Sequence, residues 1–109
     1  MRNPFQSLIQ SQVAAFQTQL VEALEELSRM EIEGSSGGGA VKILMTGGGE
    51  VRRVTLEPSV LETADKELIE DLITAAMRDA LTKVSQTKRE KIVSATPLAG
   101  MGMEIPDIF

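Results

Sequence analysis

The chain has no cysteine, histidine, tryptophan or tyrosine, and its only aromatic residues are Phe5, Phe16 and Phe109. Without cysteine there are no disulfides, thiol nucleophiles or zinc–thiolate sites, which fits a reducing compartment. Without histidine the commonest general base and metal ligand are missing. With so few rings, the core has to be aliphatic. No apolar run approaches the roughly 20 residues of a membrane span. The opening MRNPFQSLIQSQ lacks the unbroken apolar centre of a secretory signal. These absences, in a chain of 109 residues, point to a single soluble, cytoplasmic domain.

What is present is concentrated in the middle. Between Glu31 and Pro58 two glycine-rich turns separate three short segments around Ile32, Ala40–Thr46 and Glu50–Leu56. The segments alternate imperfectly between apolar and polar residues, as strands of a half-buried sheet do, and the turns suit hairpins. A helical pattern flanks them on each side. The expected class is α+β: a long helix, a three-stranded antiparallel meander and a second long helix. Residues 1–95 are expected to form the domain, and residues 96–109 (TPLAGMGMEIPDIF) to be a flexible tail that a partner can order.

The first helix is predicted from about Pro4 to Arg29, with Asn3 as N-cap and proline at the first helical position. Ile9, Val13, Phe16, Leu20, Ala23, Leu27 and Met30 recur at alternating steps of four and three, a heptad stripe. Such a helix is about 35–40 Å long, more than three strands at about 5 Å spacing can cover. Either the second helix covers the rest within one copy, or two copies share it; the length mismatch favours self-association. The second helix is predicted from about Asp65 to Ile92, capped by Thr63 or Asp65. Its apolar face is Leu68, Ile69, Leu72, Ile73, Ala76, Ala80, Leu81 and Val84. Acidic residues crowd its start and basic residues its end, as the helix dipole favours. Between sheet and helix, Glu57–Leu61 reads as a proline-initiated turn docking Val60 and Leu61.

No constellation supports catalysis or a cofactor. The carboxylates sit where capping and solvation explain them. Glu67, Glu70 and Asp71 lack calcium-loop spacing. Ser35–Gly39 lacks the Lys-Ser/Thr ending of a phosphate loop and leads into a strand. The chain reads as a non-enzyme.

Three stretches resemble the YbaB/EbfC family of bacterial nucleoid-associated proteins: EIEGSSGGGAV from Glu31 to Val41, GGEVRRVTL from Gly48 to Leu56, and DKELIEDLITAAMRDA from Asp65 to Ala80. Thr87–Lys91 and the tail with Pro106 and Phe109 match in character. The resemblance implies the helix–meander–helix fold, a homodimer with projecting helices, and DNA binding with little sequence preference in the nucleoid.

Where DNA affinity is expected, this chain departs from the pattern. Typical members carry several lysines on the first helix; here Arg29 is its only basic residue, against Glu22, Glu25 and Glu26. The net charge is −5, a poor match to a polyanion unless cations cluster. The best cluster is Lys83, Lys88, Arg89 and Lys91 at the basic end of the second helix, joined by Arg29. The resemblance extends to Lys83, Arg89 and Lys91, whose counterparts are usually basic. Two functions follow. One is a homodimer binding duplex DNA weakly through phosphates. The other is an acidic protein-interaction module that kept the fold and uses its tail to dock a protein partner.

Overall fold

The computed structural model describes residues 4–95. Helix α1 spans Pro4–Arg29, strands β1, β2 and β3 span Glu31–Ser36, Val41–Thr46 and Val51–Leu56, and helices α2 and α3 span Pro58–Glu62 and Lys66–Ala95. The sheet is an antiparallel meander in the order β1-β2-β3. The expected architecture and element boundaries hold to within a few residues. Asn3 and the tail beyond Ala95 lie outside the described residues.

Each turn has a local cause. Gly37, Gly38 and Gly39 follow one another at φ of 60°, 68° and 94° between β1 and β2, a run closed to side chains with a Cβ. Asp65 caps α3, its Oδ1 accepting the Leu68 N–H at 3.1 Å. The short helix α2 buries Val60 but leaves Leu61 exposed. The expectation that both dock on the core is corrected: one turn of helix turns only one side inward.

The core lies between the sheet and α3. Val41, Ile43 and Met45 of β2 pack on Ala76, Ala80 and Val84, with Ile32, Leu56, Leu72, Ile73 and Met77 around them. Small residues bring α3 in close. A Cβ on Gly34 of β1 would overlap the backbone of Ala80. Leu68 and Leu81, expected on the buried face of α3, are exposed, because the sheet is narrower than the apolar arc of the helix.

Among the described residues, only the C-terminal half of α1 is covered. Ala23 and Leu27 are buried, and the Gly47 N–H donates to the Met30 carbonyl at 3.0 Å, fastening the end of α1 beneath the β2–β3 turn. Towards the N-terminus, Ile9 and Val13 of the heptad stripe are exposed, as are Phe5 and Leu8. The molecule measures 75 × 23 × 16 Å, with a radius of gyration of 19.9 Å. A compact domain of this size has about 13 Å. The excess is the projecting helix, whose apolar stripe extends past anything the other described residues provide.

Candidate nucleic-acid interface

Alongside Glu22–Glu26 of α1 run the last turns of α3, where Lys91, Ser94 and Ala95 face Gln19, Glu22 and Glu26 across a shallow cleft. The β2–β3 turn closes the base of this junction: Gly47 rests on Leu27, Gly48 lies beside Ser28, and Lys88 Nζ approaches Gly49. The packing therefore brings Arg29, Lys88, Arg89 and Lys91 to the place where the two helices leave the sheet. Lys83 lies two turns back along α3. From Lys83 to Lys91 the cations spread over about 12 Å of helix, at 1.5 Å per residue.

They are not equally available. Lys91 Nζ is 2.6 Å from Glu26 Oε1. Lys83 Nζ is 3.0 Å from Asp79 Oδ2 and donates to the Glu33 carbonyl at 3.1 Å. Lys83 thus holds α3 to the edge of β1. Asp79 also accepts the Ser35 N–H at 2.9 Å. That hydrogen bond, followed by Lys83, lowers the Asp79 pKa below its ordinary 3.8. Lys88 and Arg89 are half-buried, and Arg29 is exposed. The same stretches of α1 and α3 carry Glu22, Glu25, Glu26, Asp79 and Glu90, so the patch is close to neutral overall. A phosphate there meets cations already shared with carboxylates.

Two further cations, one of them unremarked in the sequence, lie on the sheet. The register sets Lys42 opposite Thr55 and Leu44 opposite Arg53, which puts Lys42 and Arg53 diagonally together on the sheet face away from α3. Both are exposed, and neither is in an ion pair among the described residues. Alternation along β2, carried across the register to β3, was the signal that could have located them. Arg52 next to Arg53 pairs with Glu50 at 3.7 Å. Among the described residues, no group of three or more acidic side chains could hold a metal ion, and no helix is long and apolar enough to cross a membrane.

The sequence model of the YbaB/EbfC DNA-binding family matches residues 3–101. The chain belongs to this family. Among similar curated proteins is a nucleoid-associated protein of Xylella fastidiosa, 42% identical over 109 residues, spanning all of this chain and 95% of the relative. One of Xanthomonas campestris is 43% identical over 110 residues, covering 97% of this chain and 99% of the relative. One of Dictyoglomus turgidum is 42% identical over 96 residues, covering 88% and 90% respectively. A crystal structure of an uncharacterised Helicobacter pylori protein superposes with a TM-score of 0.68 at 21% identity, over 83% of this chain and 92% of that one. At that identity it speaks for the fold alone. For this YbaB/EbfC family member, the question left by the geometry is how an acidic chain holds a polyanion.

Proposed function

We propose that two copies of this chain pair and bind duplex DNA through its phosphates, weakly and with little sequence preference, as a component of the bacterial nucleoid. The observation that carries the reading is the gathering of Arg29, Lys88, Arg89 and Lys91 at the helix exit of a DNA-binding family member. Phosphate contacts fix position without reading bases, and their strength comes from counterion release. The stripe of α1 that the other described residues leave exposed supports pairing, which would set two such patches at a fixed separation, able to straddle or bridge DNA.

Fluorescence anisotropy on a labelled random-sequence duplex tests the reading. Replacing Lys83, Lys88, Arg89 and Lys91 together with alanine should abolish binding, with Arg29→Ala weakening it further in milder backgrounds. Undiminished binding by the quadruple variant removes these residues from the interface. Lys42 and Arg53 are then the next to substitute.

The second reading, a protein-interaction module, is favoured by Glu22, Glu25 and Glu26 on α1 and the net charge of −5. Capture of partners from nuclease-treated lysate separates the two. Partners that survive DNA removal favour the module, and their loss favours DNA tethering.

A further inference from the structure

Lys91 Nζ meets Glu26 Oε1 at 2.6 Å, and one step further along α3 Ser94 and Ala95 face Gln19 and Glu22. Rising numbers on α3 thus meet falling numbers on α1. The two helices run antiparallel, and α3 points along α1 towards Pro4. Helix α3 spans Lys66–Ala95, and Pro97, just beyond it, lacks the N–H that another turn would need. From the level of Gln19, α1 runs on for about 22 Å to Pro4, at 1.5 Å per residue.

The flank of α1 that lies under this line is apolar. With about 3.6 residues per turn, Leu8 stands five turns before Glu26 on the same side of the helix. Two turns bring Phe16 close to the line of Ala23, and Ala15 close to that of Glu22. Glu22, Ala23 and Glu26 all line the cleft to α3. Leu8 is 56% exposed, Ala15 is exposed and Phe16 half-buried. From Pro4 to Val21 the helix carries no charged residue. Val13, Val21 and Leu24, also exposed, lie round the helix from this flank and stay open to the pairing proposed above.

We propose that residues 96–109 continue the line of α3 as an extended strap, docked on Leu8, Ala15 and Phe16 of their own copy. Fully extended, a stretch of that length spans about 46 Å, twice the flank it has to cover, so the strap needs no reversal of the chain. Leu98, Met101, Met103, Ile105, Ile108 and Phe109 supply its apolar side chains, and methionine adapts readily to an irregular surface. Its charges, Glu104 and Asp107, fall in its far half. That places them away from Glu22, Glu25 and Glu26 and towards the start of α1, whose first turn has no acidic residue of its own. The helix dipole favours negative charge there. Tethering at Ala95, already aligned with the flank, gives the segment an effective concentration in the millimolar range. A segment from another molecule has no such advantage.

The absence of native cysteine makes the test direct. In the full chain, Leu8→Cys/Met101→Cys should close an intrachain disulfide on mild oxidation, with Leu8→Cys/Met103→Cys covering a shift of one step along the flank. Closure should be on the order of tenfold faster than in Gln10→Cys/Met101→Cys, whose α1 thiol sits on the opposite side of the helix. Equal rates, or no link in either Leu8→Cys variant, overturn the docking. A disulfide between copies overturns the same-copy strap and assigns the flank to the other molecule's segment. Hydrogen exchange supplies a readout without thiols. Leu98→Ser/Met101→Ser/Met103→Ser should speed exchange of the amides of residues 8–16 about tenfold and leave those of residues 23–28 unchanged. Unchanged exchange along all of α1 overturns the strap. Neither DNA binding nor pairing enters these readouts, so a failed strap leaves both proposals standing.

Discussion

Lys91 Nζ lies 2.6 Å from Glu26 Oε1, tying the last turns of α3 to α1 where both leave the sheet. The pair sits inside the patch proposed to meet DNA, so the carboxylate competes with phosphate for the same ammonium. Replacing Glu26 with glutamine should raise DNA affinity on the order of threefold to tenfold at low salt and steepen the salt dependence. An exposed pair contributes little to stability, at most about 1 kcal/mol. Anisotropy titrations of wild type and Glu26→Gln, with melting curves alongside, would read both effects. An unchanged affinity would place Lys91 outside the interface.

Gly34 is a packing residue inside a strand. Its absent Cβ lets β1 approach the backbone of Ala80, and no flexible side chain is there to give way. Gly34→Ala should therefore destabilise by at least the 1–3 kcal/mol typical of overpacking. Because the proposed pairing would link stability to concentration, the melting comparison is made at one protein concentration. A change within error would mean that α3 shifts freely on the sheet.

Leu27 is 1% exposed, under Gly47 at the end of α1. Leu27→Ala should cost about 2–5 kcal/mol and loosen the helix exit. Ile9→Ala, on the projecting half of α1, should leave the stability of an isolated copy nearly unchanged. Urea titration of both variants distinguishes an anchored C-terminal half from a projecting N-terminal half.

The Asp79 carboxyl is held below its ordinary 3.8 by the Ser35 N–H and then by Lys83. A carboxylate with a lowered folded pKa adds stability above its unfolded pKa and loses it as pH falls through the folded one. The stability gap between wild type and Asp79→Asn should therefore be full at neutral pH and narrow only below about pH 4. Denaturation midpoints from pH 7 down to pH 3 would show it. A gap that widens on acidification contradicts the assignment.

Element order, strand boundaries and the incomplete cover of α1 were legible because they follow from periodicity and turn chemistry over many residues. The heptad stripe from Ile9 to Met30 already exceeded the width of three strands. Partnerships across elements were not legible. Lys83 looked like a surface cation at a basic helix end, and its role as a clasp on β1 depends on where α3 crosses the sheet. Gly34 carried no signal of its packing role, because its cause is Ala80, 46 positions away in the chain. Leu61, Leu68 and Leu81 matched an apolar face by spacing, yet a narrow sheet leaves the flanks of that face uncovered. Arg52 and Arg53 are neighbours in β3, and spacing alone does not tell them apart. The structure adds which is which: Arg52 meets Glu50 and Arg53 stands on the open face.

The most direct test of the central claim is the salt dependence of duplex DNA binding by the purified full chain. Each copy carries five assigned cations, in a patch shared with as many carboxylates, so for two copies the slope of log K against log salt should be no steeper than about −9. The expected result is weak binding that falls along such a slope and tracks Arg29, Lys88 and Arg89 on substitution. Absence of DNA binding even at low salt would contradict the account.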